Sequence, residues 1–260
     1  MELRMFQQTW HGIDLTTLPA AAACFDRPAS AEFYAQFYQA LAAGKGRISP
    51  EWLESKRLLG ECLDEALITP WKTRHGRTPR ILALGAGKAP VEHVWHLRGH
   101  SVTFHDCQED SLAETRRAYP QAGYLIGDIF QLEPKEKYDL ISLITIDYVM
   151  NRAEFTAFLR RAAQWLAPDG QIIIYCASTL SFRQLAVETI KRGLGRYQRG
   201  RQVFWGYWRT PGEFFKTAGR AGLRVAEVYR LGEGLKPLSW FRRRPPLRST
   251  HLVLTLENKH

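Results

Sequence analysis

Apolar positions along the chain change their period twice. Phe33, Phe37, Tyr38 and Leu41 recur at helical spacing, with Ser30 placed to cap the helix. A second helix is expected over residues 50–67, with Trp52, Leu59 and Leu63 on its apolar face, ended by Pro70 and a basic run. Short apolar runs then take over at 81–84, 101–105, 123–126, 138–144 and 171–176, and read as strands. Helical patterns separate them at 90–97, 109–118 and 153–166. Strands that alternate with helices imply parallel crossover units and a sheet covered on both faces. Helices near 181–192 and 210–222 and strands at 223–229 and 250–256 complete the pattern. Residues 1–24 have no strong periodicity and are expected to be an irregular or partly ordered lead-in. The expected organisation is a helical N-terminal extension or lid (1–79) before an α/β domain (80–260). Basic, aromatic insertions fall at about 191–210 and 235–248.

Composition narrows the class. At 260 residues, with 45% apolar and 24% charged, the chain suits a globular protein with a substantial core. Cys24, Cys62, Cys107 and Cys176 lie far apart, which suggests neither a zinc site nor a disulfide framework; a cytoplasmic setting is expected. The run 18–24 resembles a lipoprotein cleavage site but lacks an apolar segment before it, so no signal peptide is expected. The eight histidines show no metal-ligand spacing. The net charge of +10 is uneven: residues 191–248 hold 15 Lys/Arg and 3 acids, a balance of +12, leaving 21 basic and 23 acidic groups elsewhere. Such a region asks for an anionic substrate, a membrane surface or nucleic acid.

The chemistry centres on Gly85-Ala86-Gly87, between the strand at 81–84 and a helix start. Glycines there let backbone approach a ligand, and a helix N-terminus offers free N–H groups. Asp106 ends the next strand, where a carboxylate can accept from both hydroxyls of a ribose. Asp128, in Gly-Asp-Ile-Phe, follows the third strand and can accept from an exocyclic amine, with Ile129 packing on a base. Each Asp also suits a turn or helix cap.

These motifs, with Lys137-Tyr-Asp-Leu-Ile141 and Leu166-Ala-Pro-Asp-Gly170, make residues 80–256 resemble the class I S-adenosylmethionine-dependent methyltransferases. The resemblance implies a Rossmann-like seven-stranded sheet with an antiparallel last strand, and S-adenosyl-L-methionine as cofactor. Gly85, Ala86 and Gly87 would pass its methionine part. Asp106, with Cys107 beside it, would hold the ribose, and Asp128 and Ile129 the adenine. Thr145 would line the reactive side. The chain departs from the family at Ala83, where an acid near the cofactor's amino group is usual, and at Ala89, which replaces the third motif glycine.

Methyl transfer from a sulfonium needs an aligned nucleophile and, for a hydroxyl acceptor, a base. Asp147 and Tyr148 follow the fourth strand and are the candidates; Asp147 equally suits a helix cap or a turn. On the acceptor side, Trp205, Tyr207 and Trp208 can stack on a ring while Arg209 reads an anionic group. Tyr34 or Tyr38 would face the pocket if the first helix is a lid; otherwise that helix packs on the core. The expected acceptor is a small molecule, glycan or lipid-linked anion, methylated at oxygen. The Trp240-Phe241 loop with its arginines suits peripheral contact with the inner membrane face. Two alternatives are an RNA methyltransferase, for which no separate RNA-binding module is visible, and a scaffold that has lost its cofactor.

Overall fold

The computed structural model describes residues 2–176, 179–197, 200–232, 234–238 and 251–259. Most of the second expected insertion, including Trp240 and Phe241, lies outside the described residues. In chain order the elements are β1 (Leu3–Gln7), β2 (Thr9–Trp10), β3 (Ile13–Asp14), α1 (Ala31–Ala42), α2 (Pro50–Leu63), α3 (Thr69–His75), β4 (Arg80–Leu84) and α4 (Glu92–Leu97). Then come β5 (Ser101–Asp106), α5 (Ala113–Ala118), β6 (Gly123–Ile126), β7 (Tyr138–Ile144), α6 (Arg152–Trp165) and β8 (Leu166–Cys176). The chain continues with α7 (Phe182–Gly193), β9 (Val203–Trp208), α8 (Pro211–Arg220), β10 (Leu223–Gly232), β11 (Gly234–Pro237) and β12 (Leu252–Asn258).

One sheet dominates, in the order β11-β10-β12-β8-β7-β4-β5-β6. Strands β6, β5, β4, β7 and β8 are parallel, and β12 runs antiparallel to both β8 and β10. The seven expected strands are present, and β11 adds an eighth at the edge by turning back on β10. Strand alternation divides the core. Leu82 and Leu84 pack with Phe155 and Phe158 of α6 and Phe214 of α8. Ile81 and Ala83 face the other way, toward Leu59 and Leu63 of α2, Trp71 of α3 and Trp95 of α4.

Two expectations are corrected. The helix starting at Pro50 does not stop before Pro70: a π-helical turn at Asp64–Ile68 links α2 to α3, which runs to His75 and ends at Gly76 in the left-handed region. The wider turn redirects the hydrogen bonds, the Thr69 N–H reaching Asp64 O, just where Pro70 has no N–H to give. The lead-in, expected to be irregular or partly ordered, is built into the fold from residue 2 onward. β1 pairs antiparallel with β9, and Ile13, Leu15, Leu18 and Cys24 are buried with Phe33, Phe37, Val203 and Trp205. The aromatic stretch near 204 is thus a strand, and it joins the start of the chain to the first expected insertion.

β7 is buried along its whole length, and Asp139 is its one charged residue. Both carboxylate oxygens accept from the Arg77 guanidinium at 2.7 Å, and Oδ2 also accepts the Arg80 N–H at 2.8 Å. Burial acts to raise this carboxyl, but those donors outweigh it and hold the pKa below its ordinary value. The arrangement ties the loop before β4 to the middle of the sheet. Asp139→Asn should cost about 2 kcal/mol at neutral pH. Because the folded pKa is depressed, the stabilisation is present above the unfolded value and is lost as pH falls through the folded one. Urea titrations should therefore show the gap between wild type and variant narrowing below about pH 4; a gap independent of pH would exclude this role.

Candidate active site

Three strand ends are bound together at one corner. The Ala86 N–H donates to His105 O at 2.8 Å, and the Gly127 N–H donates to Asp106 O at 3.1 Å. The Gly87 N–H donates to Asp106 Oδ2 at 2.9 Å, while Oδ1 accepts the Gln108 N–H at 3.1 Å. Between them the buried His105 ring reaches Gly85 N through Nδ1, at 3.4 Å, and Gly127 O through Nε2, at 3.0 Å. An N–H must meet a ring acceptor and a carbonyl must meet a ring donor, which assigns the neutral tautomer protonated on Nε2. Burial, the larger influence, lowers the His105 pKa even though the Gly127 carbonyl and nearby carboxylates pull the other way.

This corner forms one wall of a cavity of about 640 Å³ outside the carboxyl ends of β4, β5 and β7. Gly85, Ala86 and Gly87 line it, with φ of 60° at Gly85 and 56° at Gly87. Side chains have no room there: a Cβ on Gly85 would sit 2.7 Å from Ile146 Cγ2, and one on Gly87 would sit 3.0 Å from the Tyr38 hydroxyl. Asp106 and Cys107 line the same space, as do Asp128 and Ile129. Asp128 Oδ1 accepts the Phe130 N–H at 2.9 Å, closing a tight turn. Thr145 also lines the cavity, with φ of 60°, a costly conformation for a β-branched residue.

Helix α1 makes the roof. Phe33 and Phe37 turn into the core, and Tyr34 and Tyr38 line the cavity with Tyr148. Packing on the core and covering the pocket are thus two faces of one helix. Burial pushes the Tyr148 phenol up to about 12, and raises Tyr34 and Tyr38 as well. All three phenols are protonated at neutral pH and are available as hydrogen-bond donors. Burial together with Asp106 pushes the Cys107 thiol up to about 12, so it is not a thiolate nucleophile.

The remaining expected residues fall elsewhere. Asp147 is fully buried and does not line the cavity, which corrects the expectation of a ligand-facing base. The reason is Arg209, itself buried, whose guanidinium donates to Asp147 O at 3.1 Å and to Met150 O and lies 4.6 Å over the Phe155 ring. Arg209 therefore shapes the turn after β7 and reads no external anion. Helix α6 is capped by Asn151, in a capping box with Glu154, and not by Asp147. Trp205 stacks behind Tyr148 at 6.3 Å and meets Tyr34 edge-on, while Tyr207 packs against Phe204; neither lines the cavity.

Sequence reasoning missed His105 and the wall opposite the glycine turn. Trp10, His11 and Trp52 line that wall together with Lys56, and Glu92 lines the cavity from the first turn of α4. Glu92 is buried, and burial raises its carboxyl to about 7, with Lys56 pulling the other way. Burial lowers the Lys56 ammonium, which lies 5.3 Å over both the Trp52 and the Tyr175 rings. Among the described residues no ion pair joins Lys56 to Glu92, which act on each other only through the longer-range field.

Residues 81–170 match the model of a methyltransferase domain. No curated protein matches the chain. Among solved structures, magnesium protoporphyrin IX methyltransferase from Synechocystis PCC 6803, with bound S-adenosylhomocysteine, superposes with a TM-score of 0.57 at 15% identity over 87% of this chain and 96% of that one. A TehB-like S-adenosylmethionine-dependent methyltransferase from Corynebacterium glutamicum gives 0.51 at 21% identity over 88% and 97%. An O-methyltransferase from neocarzinostatin biosynthesis, in complex with S-adenosylhomocysteine and 1,4-dihydroxy-2-naphthoic acid, gives 0.51 at 16% over 92% and 67%. The fold is the Rossmann-like fold of class I S-adenosylmethionine-dependent methyltransferases, and the domain match spans the glycine turn and both carboxylate-bearing strand ends.

The His105 assignment predicts that its imidazole titrates below 6.5 and carries its proton on Nε2 when neutral. Nitrogen-15 chemical shifts of the ring across pH 5 to 8 check this, and a ring protonated at its ordinary pH would contradict the bridge.

Proposed function

We propose that the protein transfers a methyl group from S-adenosyl-L-methionine to an oxygen of a small-molecule acceptor. One observation carries this reading: Asp106 and Asp128, on adjacent strand ends, line a single cavity with the glycine turn. The residues present fit the cofactor. Each Asp106 oxygen accepts one backbone N–H and keeps a second acceptor site for a ribose hydroxyl. Asp128 Oδ2 has no protein donor among the described residues and suits an exocyclic amine, with Ile129 against the ring.

The amino-acid end poses a harder question, because Ala83 offers no carboxylate and is packed among apolar side chains. Glu92 and Lys56 answer it. A buried carboxyl and a partly buried ammonium that share a cavity without contact match the ammonium and carboxylate of an amino acid in reversed order. Either charge alone is costly to bury, and a zwitterion placed between them would satisfy both.

When bound, the cofactor supplies a methyl group already activated as a sulfonium. The protein's part is alignment and exclusion of water. Tyr34 and Tyr38 close the roof and, with Tyr148, present phenol donors that orient an acceptor oxygen. Trp10 and Trp52 give that end of the cavity flat apolar walls, which favours a ring-bearing acceptor. The naphthoic acid complex of the neocarzinostatin enzyme supports an aromatic acceptor by analogy.

Calorimetry with S-adenosylhomocysteine tests the reading, and absence of binding would remove it. Asp106→Ala should weaken that affinity about tenfold or more through loss of a charged acceptor. Glu92→Gln should weaken S-adenosylhomocysteine about tenfold yet leave 5′-methylthioadenosine, which lacks the amino-acid part, unchanged. Equal losses for both ligands would mean that Glu92 acts only through the fold. Since Glu92 must be ionised to pair with an ammonium, affinity for S-adenosylhomocysteine should also fall as pH drops below about 7.

A further inference from the structure

Helix α7 is packed the wrong way round for a helix of a globular core. Ser181 Oγ caps it by accepting the Gln184 N–H at 3.0 Å, so the element is well started. Yet the single side chain it buries is Glu188, which accepts from Lys191 Nζ at 3.3 Å, from Gln184 Nε2 at 3.4 Å and from the Tyr197 hydroxyl. Its apolar residues point outward. Phe182, Leu185 and Val187 are exposed, Ile190 is 60% exposed, and Leu194, just beyond the helix, 62%. These five stand out among the described residues, where only four other large hydrophobic side chains (Leu53, Leu58, Leu97 and Ile126) are comparably exposed. A contiguous exposed apolar face marks an interaction surface.

Charge says what covers it. Between Ser181 and Arg209 the only acid is Glu188, which is turned inward, against seven cations at Arg183, Lys191, Arg192, Arg196, Arg199, Arg201 and Arg209. Arg209 is buried, but Arg183 and Arg196 are exposed beside the apolar residues, and Lys191 is partly so. Outward apolar residues flanked by cations, in a stretch whose one acid is turned inward, fit an interface that is apolar within and anionic at its rim. A second copy of this chain is a poor occupant, since a two-fold contact would set this cationic patch against itself. The helix follows β8, whose carboxyl end adjoins that of β7, so the patch begins at the sheet edge that carries the cavity.

We propose that α7 docks the protein on a lipid bilayer surface containing anionic headgroups. The apolar side chains enter the headgroup and acyl boundary, and the arginines and lysine pair with phosphates above them. This inference does not depend on the assignment of the cavity.

Flotation with vesicles tests it on the full chain. Binding to phosphatidylcholine vesicles containing phosphatidylglycerol should exceed binding to pure phosphatidylcholine vesicles about tenfold or more, and should weaken as salt is added. The double variant Ile190→Glu with Leu194→Glu alters only exposed positions and should lose most of that binding while its circular dichroism spectrum stays that of wild type. Arg183→Gln with Arg196→Gln should bind less to the anionic vesicles and no less to the neutral ones. Three results would overturn the proposal: no vesicle binding by wild type, equal binding to both compositions, or full binding by the double glutamate variant. A dimer in size-exclusion chromatography that the double glutamate variant dissociates would overturn it too, by giving the face to a second copy.

Discussion

A neutral imidazole at a strand end holds the site together. His105 joins the glycine turn after β4 to the turn after β6, and the neighbouring Asp106 joins both to β5 through its carboxylate and its backbone. Three loops that lack regular hydrogen-bonded partners thereby become one rigid corner. Were the ring to charge, Nδ1 would carry a proton facing the Gly85 N–H, and the corner would open. Burial that keeps His105 neutral is therefore part of the architecture of the pocket. The two glycines follow from the same constraint, because the turn must bend sharply under Ile146 and Tyr38.

The opposite end of the cavity is organised by cost instead of by satisfaction. Glu92 is raised to about 7 and Lys56 is lowered, both mainly by burial, and among the described residues no ion pair joins them. Thr145 adds backbone strain at the same cavity. Features of this kind weaken a fold and persist where a ligand repays them. By contrast, Asp139 is bonded to Arg77, and Arg209 to the Asp147 and Met150 carbonyls, and neither Asp139 nor Arg209 lines the cavity. Asp106 does both, bonded through each oxygen while it lines the pocket.

Much of this was legible in the sequence. Short, near-continuous apolar runs such as Tyr138–Ile144 are buried on both faces of a parallel sheet and stand out from the helical stripes around them. The glycine turn and the two carboxylates sit at strand ends, and topology alone brings strand ends together. Other parts were hidden because their causes are not local. The short strand Leu3–Gln7 takes its partner from Val203–Trp208, so no nearby pattern announces it. Arg209 reads as a recognition residue until its burial is known, and Glu92 reads as an ordinary acid in the first turn of a helix. Pro70 reads as a stop because a π turn has no sequence period of its own.

The pairing of β1 with β9 has a further implication for biogenesis. Trp10 and Tyr34 rest against Trp205, so the inner support of the roof arrives from the ribosome long after the glycine turn and the carboxylates. During synthesis the half of the hollow that carries the glycine turn and the two carboxylates can take shape while its cover still awaits a distant stretch of chain. Contacts of such long sequence separation form slowly. An emerging polypeptide would thus expose its aromatic N-terminal segment to chaperones until β9 appears, and would hold only an open half-site in the meantime.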